Sequence, residues 1–332
     1  MKSIEAQSGH SLGPRTCVIF PGALGDFICF LPALQALART ASVDLFARSE
    51  FADISPDGVA VGSLERPEIS KLFCSESVED EPVQRFLRAY DAVYSWLACR
   101  DEEFVRHLQT IMGGRAQVFP FRPAAGHGHQ ADYYLNCLNY PGGSSAEPAV
   151  ALRAQEIRWG DSFWARHSLQ RPVLAIAPGS GAREKNWPAE FFFAVTQWWR
   201  QTIGGMVLLL IGPVEHERGG TEALQSSCVV AGNLSLAQAA VLLARSDVYL
   251  GNDSGLSHLA GAVGVRTVAL FGPSDALQWA PRGEKVVVLR RGISCSPCQE
   301  RTMKDCRHRA CLTELRPEEI IAVLGKLPEA LP

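Results

Sequence analysis

The sequence predicts an α/β protein of two domains, each built on a doubly wound parallel sheet, and three observations support this. A length of 332 residues exceeds the usual size of a single domain and is sufficient for two hydrophobic cores. Residues 17–47 follow the order strand, glycine-rich turn, helix, strand, which begins a doubly wound sheet. Residues 172–271 alternate strands with helices, an order that produces parallel strands joined by right-handed crossovers.

Composition and charge exclude several classes of protein. The formal net charge of −3 offers no positive surface for nucleic acid. No apolar run reaches the ~18 residues that a membrane-spanning helix needs. Residues 1–15 lack the apolar segment of a signal peptide and are interpreted as a flexible tail. We therefore expect a cytoplasmic protein with no transmembrane segment and no nucleic-acid partner.

The first glycine-rich turn ends at Gly25 and is followed by Asp26, which opens a helix with one apolar face. Ligands of doubly wound sheets bind at the carboxyl ends of the strands, where this aspartate lies. Asp26 is therefore a candidate for function, although a carboxylate at a helix start also serves as a simple cap. The turn matches neither the dinucleotide fingerprint nor a P-loop. His127 and His129 occupy a later glycine-rich loop, where histidines either contact substrate or are merely solvated.

Three polar loops follow strands of the second half and should converge at one edge of its sheet. The first, residues 178–188, contains Lys185, which either reaches a phosphate or is a solvated surface lysine. The second contains Glu215 and Glu217, which either accept hydrogen bonds from sugar hydroxyls or begin a helix. The third, residues 252–256, separates a buried strand from a helix of small residues.

This third loop favours an anion site. A helix N-terminus presents free backbone N–H groups and the positive end of the helix dipole, which together bind anions. The alternative is that Asp253 or Ser254 only caps the helix. The sequence Asn-Asp-Ser-Gly-Leu-Ser-His over residues 252–258 has more polar groups than a cap requires.

Four of the ten cysteines are grouped near the C-terminus with the spacing C-x2-C-x7-C-x4-C. Their number and first spacing suit a tetrahedral zinc or iron site. The intervals differ from those of the common zinc ribbons and fingers, so reduced thiols or a single disulfide are the alternatives. The four residues are Cys295, Cys298, Cys306 and Cys311.

Several short motifs, taken together and in order, resemble glycosyltransferase family 9, the ADP-heptose:lipopolysaccharide heptosyltransferases. The N-terminal motif is Gly22-Ala-Leu-Gly-Asp26, followed by Pro32-Ala-Leu. The cysteine segment and the Leu-x-Glu-Leu-x-Pro-Glu-Glu sequence after it are similar to the C-terminal end of that family. The resemblance covers residues 16–325, and its middle motifs begin at Pro178, Lys185, Gly212 and Asn252.

The resemblance implies the GT-B fold, in which two Rossmann-like doubly wound domains face each other across a cleft. An acceptor-binding domain would occupy residues 16–165, after the tail of residues 1–15. A nucleotide-sugar-binding domain would occupy residues 170–312. A helix within residues 313–332 would pack back on the first domain.

The resemblance also implies roles by position. Asp26 matches the family's general base, Lys185 the lysine beside the donor diphosphate, and Asp253 the aspartate beside the donor sugar. Leu234 falls where the family places a side chain against the purine. The positions matched to donor binding are Ser180, Glu215, Leu234, Ser254, Gly255, Leu256 and His258. The positions expected on the acceptor side are Gly25 and His129.

The implied reaction transfers a heptose, or a related sugar, from an ADP-sugar to a hydroxyl of a lipopolysaccharide core or of another glycan or protein. It would invert the anomeric carbon and need no metal for catalysis, because Lys185 and a helix N-terminus would stabilise the departing diphosphate. Structural zinc or iron is expected only at the four C-terminal cysteines. The enzyme would be cytoplasmic, or peripheral on the cytoplasmic face of the inner membrane.

Two other functions are alternatives to transfer. A sugar-nucleotide 2-epimerase or hydrolase with the GT-B fold would use similar donor contacts without an acceptor, and Asp26 argues against it. A non-catalytic subunit would bind a sugar nucleotide whether or not Asp26 is present. Phe20-Pro21 replaces the basic residue often found before the family's first turn, which leaves the acceptor open.

Overall fold

The computed structural model describes residues 13–75, 78–123, 128–140, 147–212, 220–298 and 300–326. Contacts between Cα atoms divide the chain into two compact units. The first unit runs to Gly22 and continues over Leu34–Pro123, whereas the second contains Ala23–Ala33 and continues from Ala124. The domain limits predicted from the sequence stay a prediction.

The first unit contains a five-stranded parallel sheet in the order β3-β2-β1-β4-β5. The chain winds outward from β1 through β2 and β3, and then restarts on the other side of β1 with β4. The sheet is therefore doubly wound, as predicted, and its winding reverses between β1 and β4. The strands are β1 (Arg15–Ile19), β2 (Ser42–Ala47), β3 (Val59–Ser63), β4 (Ala92–Ser95) and β5 (Ala116–Val118).

Helices cover this sheet with apolar faces. The helices α3 and α4 are capped by Asp80 and Asp101, whose side chains accept hydrogen bonds from the N–H groups of Val83 and Phe104. Their buried residues join those of β1 and β2 in one core. The helices of this unit are α2 (Pro67–Ser70), α3 (Glu81–Arg88) and α4 (Glu102–Met112). The helix α1 (Leu24–Ala38) begins in the second unit, and its residues from Leu34 onward belong to the first.

The second unit contains a six-stranded parallel sheet in the order β11-β10-β9-β6-β7-β8. Every residue of β6 and of β9 is buried, which is typical of parallel strands covered by helices on both faces. The winding reverses between β6 and β9, which are neighbours. The strands are β6 (Val173–Ala177), β7 (Met206–Ile211), β8 (Val229–Gly232), β9 (Val248–Asn252), β10 (Arg266–Phe271) and β11 (Val286–Arg290).

The helices of the second unit begin with α5 (Gln130–Cys137) and α6 (Ala154–Arg166). None of the helices in the described ranges is long and apolar enough to cross a bilayer. The remaining helices are α7 (Ala189–Trp198), α8 (Glu222–Gln225), α9 (Leu236–Arg245), α10 (Gly255–Ala262), α11 (Ala276–Trp279), α12 (Glu300–Asp305), α13 (Ala310–Thr313) and α14 (Pro317–Leu324).

The C-terminal helices contribute to the main core of the second unit. Leu312, Ile320 and Leu324 are fully buried there with Trp187 and Trp199. The Trp187 indole N–H also donates to the Leu315 carbonyl over 2.8 Å. Residues 317–324 thus supply buried side chains to the second unit, and the expected packing of this helix on the first domain stays a prediction.

A glycine permits the close packing of α6 on α9, and its substitution should destabilise the protein. A Cβ atom at Gly160 would overlap the Val241 side chain and lie 3.1 Å from Arg245 Nε. We expect Gly160→Ala to lower the free energy of unfolding by about 1–3 kcal/mol, because overpacking outweighs the better helix propensity of alanine. Urea denaturation measures the change. Gly114→Ala is the control, since a Cβ there meets no atom within 4 Å; equal stability of the two variants would contradict the prediction.

Candidate active site

The winding of the second sheet reverses between β6 and β9, and two predicted site residues meet at this point. Lys185 lies in the loop after β6, and Asp253 directly follows β9. The Lys185 Nζ atom donates to Asp253 Oδ2 over 2.7 Å, and the Asp253 side chain is only 7% exposed. A carboxylate buried to this degree needs a charged or hydrogen-bonding partner. The pair lies where doubly wound sheets bind their ligands.

The Asn252 side chain holds both ends of the loop that carries Lys185. Asn252 is fully buried at the end of β9. Its Nδ2 atom donates to the Pro178 carbonyl over 2.7 Å, and its Oδ1 atom accepts from the Trp187 N–H over 2.9 Å. The loop is therefore tied to β9 on each side of Lys185.

The N-terminus of α10 has groups that its own helix does not use. Ser254 is the N-cap residue, but its side chain makes no capping hydrogen bond. Its hydroxyl oxygen is buried and has no hydrogen-bond partner among the described residues. The first N–H groups of a helix, here at Gly255 and Leu256, have no partner within the helix. The hydroxyl, the N–H groups and the positive end of the dipole make this helix start a candidate anion site beside Asp253, and its role in binding the donor stays a prediction.

Asp26 lies in the first turn of α1, and its carboxylate caps that helix. The Oδ2 atom accepts a hydrogen bond from the Ala23 N–H over 3.1 Å. The capping role considered for Asp26 is therefore present. A carboxylate has about four lone-pair positions, so the cap is compatible with a second contact. The cap fixes the orientation of the carboxylate.

The start of α1 lies close against the start of α10. A Cβ atom at Gly255 would be 2.7 Å from Leu24 Cβ. A Cβ atom at Gly25 would be 3.2 Å from Cδ2 of His258. The small residues at these two positions therefore allow a close approach of the segment that carries Asp26.

The Cys29 thiol, one turn after Asp26 on α1, is influenced by both predicted carboxylates. Burial raises its pKa most, the charges of Asp26 and Asp253 raise it further, and Arg282 lowers it. Asp26 and Asp253 thus share one electrostatic neighbourhood.

His258 is buried in the same neighbourhood. Its Nδ1 atom is 3.7 Å from the Cys29 sulfur. Burial lowers the pKa of His258 to about 4; Asp253 opposes this effect, whereas His129 and Lys185 add to it. The imidazole is therefore neutral at pH 7 and adds no charge to the anion site.

His129 uses both ring nitrogens within the protein. Its Nδ1 atom accepts from the Ala131 N–H over 3.1 Å and so caps α5. Its Nε2 atom is 2.8 Å from the Ala280 carbonyl oxygen, which only accepts, so Nε2 carries the proton. Burial lowers the pKa of His129. The predicted acceptor role of His129 stays a prediction.

The other predicted donor residues lie at strand ends or outside the described part of the chain. The Ser180 hydroxyl is within 2.6 Å of both the Ala182 carbonyl oxygen and Asn186 Oδ1, inside the Lys185 loop. Leu234 follows β8 and packs partly buried on an apolar cluster. Glu215 lies outside the described residues, as do His127 and Glu217.

A model of glycosyltransferase family 9 (heptosyltransferase) matches residues 135–307, just over half of the 332 residues. The chain belongs to this family. The resemblance read from the motifs is thereby confirmed.

Curated heptosyltransferases are among the relatives of this family 9 chain. It is 27% identical to lipooligosaccharide heptosyltransferase 2 of Campylobacter jejuni, over 46% of this chain and 49% of that protein. It is 28% identical to lipopolysaccharide heptosyltransferase 2 of Escherichia coli, over 48% of each chain. The chain spans about half the length of the curated relatives that it matches.

Solved structures match nearly the whole chain. A family 9 glycosyltransferase from Veillonella parvula has a TM-score of 0.77 and 21% identity, and the match covers 95% of this chain and 97% of that one. The E. coli ADP-heptose LPS heptosyltransferase II has a TM-score of 0.68 and 21% identity, with 94% and 98% covered. These likenesses confirm the predicted GT-B fold class, with its two parallel sheets.

Neighbouring cysteines raise the thiol pKa of two of the four C-terminal cysteines, Cys298 and Cys311. The pKa of the Cys311 thiol is raised to about 11, chiefly by burial and then by Cys298, Cys306 and Cys295. The pKa of Cys298 is raised by burial, Cys295 and Cys306. Within the described ranges, no three His, Cys, Asp or Glu side chains are arranged to hold a metal ion. The thiols suit a soft metal chemically but are not placed as a closed set of ligands.

A structural relative with iron is the dodecameric iron-containing heptosyltransferase TibC of enterotoxigenic E. coli, solved with ADP-D-β-D-heptose. In that complex its TM-score is 0.60 at 16% identity, and the match covers 97% of this chain and 78% of that one. This likeness shows a shared fold.

Three residues of the site were not identified from the sequence. Asn252 stands in the motif that contains Asp253, but its buried bonds to Pro178 and Trp187 required the folded loop. Cys29 lies three residues after Asp26 on the same predicted helix, but this spacing alone is a weak indication of a functional residue. Arg282, whose guanidinium makes paired bonds of 2.7 and 2.6 Å with Asp132 in α5, has no motif around it.

The lowered pKa of His258 makes the ligand-free protein less stable in acid. Unfolded His258 takes up a proton near pH 6.5, whereas the folded residue resists protonation down to about pH 4. Stability is therefore complete above pH 6.5 and falls progressively as the pH drops toward 4, by up to about 3 kcal/mol. We expect His258→Gln to show a smaller fall over this range, measured by urea denaturation at pH 7 and pH 4.5. An equal fall in both proteins would contradict the prediction, because the other groups titrate alike in each.

Proposed function

We propose that this chain is a heptosyltransferase that moves a heptose from an ADP-sugar to a hydroxyl of a lipopolysaccharide-core acceptor, with inversion. The observation that carries the proposal is the Lys185–Asp253 ion pair beside the unused N-terminal groups of α10. Family membership supports it, as do the names of the relatives from C. jejuni and E. coli.

In this proposal the donor diphosphate binds at the N-terminus of α10. The Lys185 ammonium has three donors, of which one contacts Asp253, so it can also reach a phosphate oxygen. The Ser254 hydroxyl and the N–H groups of Gly255 and Leu256 supply neutral donors. Negative charge grows on the ADP as its bond to the sugar breaks, and these groups stabilise that charge where it develops. A lysine and a helix end thus take the part of a divalent cation.

Asp253 has the opposite role in the proposed transition state. The sugar ring gains positive charge as the glycosyl bond lengthens. Water screens the Asp253 carboxylate little, because its side chain is only 7% exposed. Glu215 remains our candidate for contacts with sugar or ribose hydroxyls. Leu234 remains our candidate for a contact with the purine.

Asp26 is the proposed general base. The acceptor oxygen forms a bond to the anomeric carbon while the bond from that carbon to the phosphate oxygen breaks and ADP departs. The acceptor hydroxyl proton passes to the Asp26 carboxylate and then to solvent. Its cap bond from Ala23 supports the role, because a base of fixed orientation loses less entropy in the reaction.

The first unit has a cavity that suits a glycan acceptor. It has a volume of about 400 Å³ and lies after β4 and β5, with Trp96 and Phe121 in its wall beside Arg100 and Arg122. The partly exposed Phe121 ring can pack on a sugar ring, whereas Trp96 is only 1% exposed and forms the floor of the cavity. Guanidinium groups bind carboxylates and phosphates. We propose that an acidic core oligosaccharide binds there, with the enzyme cytoplasmic or peripheral on the cytoplasmic face of the inner membrane.

Loss of the base should separate transfer from donor binding. We expect Asp26→Asn to lower the rate of heptose transfer to a heptose-deficient core oligosaccharide by at least ~10²-fold, because general-base catalysis contributes ~10²–10⁴-fold. The Kd for ADP, measured by calorimetry, should change little. Asp53→Asn, in the 3-10 helix Ser49–Asp53, is the control and should transfer normally. Near-normal turnover of Asp26→Asn would exclude the proposed base.

The cysteine cluster is proposed to hold one structural zinc or iron ion. Its four thiols are soft donors, and the raised pKa values of Cys298 and Cys311 would fall on binding a cation. TibC is an iron-containing structural relative. We expect about one metal ion per chain by elemental analysis of protein purified without chelator or affinity metal. A Cys295→Ser/Cys298→Ser variant should lose it, whereas Cys74→Ser, at an exposed cysteine outside the cluster, should keep it. Metal-free wild-type protein would refute the site.

A further inference from the structure

Arg309 connects the cysteine segment to the loop that carries Lys185. It lies between Cys306 and Cys311, and its Nη2 atom donates to the backbone carbonyl of Asn186, the residue after Lys185. The two residues are 123 positions apart in the sequence. A hydrogen bond from a guanidinium is stronger than one between neutral groups.

The segment around Arg309 is itself attached to the end of β10. The Ser296 hydroxyl donates to the Gly272 carbonyl over 2.5 Å, and the Cys298 N–H donates to the Pro273 carbonyl over 2.7 Å. Leu312 is fully buried and lies so close to Gly272 that a Cβ atom there would be within 2.7 Å of its Cδ2. The segment therefore offers a fixed base from which Arg309 extends.

The backbone of Arg309 has a conformation that favours glycine. Its φ of 46° and ψ of 33° lie in the left-handed region. A non-glycine residue there is strained and persists only where its surroundings hold it. Arg309 Nε is also buried without a hydrogen-bond partner among the described residues. The chain thus accepts two local penalties in an arrangement that directs Nη2 to the Asn186 carbonyl.

The carbonyl that Arg309 binds belongs to the turn that presents Lys185. The Lys185 N–H donates to the Ala182 carbonyl over 3.0 Å, and Asn186 Oδ1 accepts from the Ser180 hydroxyl. Asn252 fixes the turn from the side of β9 through the Trp187 N–H. Arg309 fixes the intervening peptide from the side of the cysteine segment.

We propose that Arg309 is a positioning residue that holds the Asn186 carbonyl and thereby keeps Lys185 in place beside Asp253. The C-terminal cysteine segment would thereby restrain the loop that carries Lys185. The consequence for donor affinity rests on the proposed function, whereas the ordering of the loop does not.

Two substitutions test the proposal without relying on activity. Arg309→Lys keeps the charge but loses the guanidinium geometry, and Arg309→Gly removes the side chain while suiting the left-handed backbone. Arg307→Lys is the matched control at an exposed arginine of the same segment. Hydrogen–deuterium exchange of residues 185–187 is measured in the full chain without ligand, together with the melting temperature, and the Kd for ADP is measured by calorimetry.

We expect these amides to exchange about tenfold faster or more in both Arg309 variants, the size expected for loss of a hydrogen bond to a charged donor. The Kd for ADP should rise by a similar factor, and Arg307→Lys should match the wild type. A melting temperature of Arg309→Gly at or above that of the wild type excludes general unfolding as the cause.

Unchanged exchange at residues 185–187 in both variants would overturn the proposal. Faster exchange with an unchanged Kd for ADP would overturn the role of Arg309 in donor binding. Failure of the wild-type protein to bind ADP would instead refute the proposed function, and the exchange data would still decide whether Arg309 holds the loop.

Discussion

The ion pair between Lys185 and Asp253 is the interaction on which the candidate site depends. Its 2.7 Å bond joins the loop after β6 to the residue after β9, and the sheet reverses its winding between these two strands. Separating the buried Asp253 carboxylate from Lys185 would leave a buried charge without its partner, which costs free energy. The ion pair therefore restrains the loop that carries Lys185. The amide of Asn252 reinforces this, because it bonds to Pro178 and Trp187 on either side of Lys185.

The Lys185–Asp253 pair places a positive and a negative charge next to each other in the candidate site. A transfer that separates a cationic sugar from an anionic diphosphate needs each sign in a different place. Asp253 would act on the sugar, while Lys185 and the N-terminus of α10 would act on the phosphates. A neutral His258 is consistent with this division, because a cationic imidazole would weaken the effect of Asp253. The low pKa of His258 follows from burial, so the local packing itself keeps the ring uncharged.

The sequence predicted those parts of the structure that local patterns determine. The helix that contains Asp26 and the loops at the ends of β6 and β9 follow from apolar periodicity and from polar residues after buried runs. The contact of Cys29 with His258 joins residues 229 positions apart, and that of Arg309 with Asn186 joins residues 123 apart. No periodicity specifies such pairs, because they depend on how whole elements pack. The joint effect of the Asp26 and Asp253 charges on the pKa of the Cys29 thiol likewise depends on packing and not on local sequence.

The close approach of α1 and α10 explains why glycine stands at the two contact positions. Any larger residue at Gly25 would press on the His258 ring, and any at Gly255 would meet Leu24. Movement of either helix start would alter the contact of Cys29 with His258. The proposed base is thus placed by packing in the core as well as by its own helix. A carboxylate fixed in this way can meet an acceptor hydroxyl without first being ordered, which is the condition for efficient general-base catalysis.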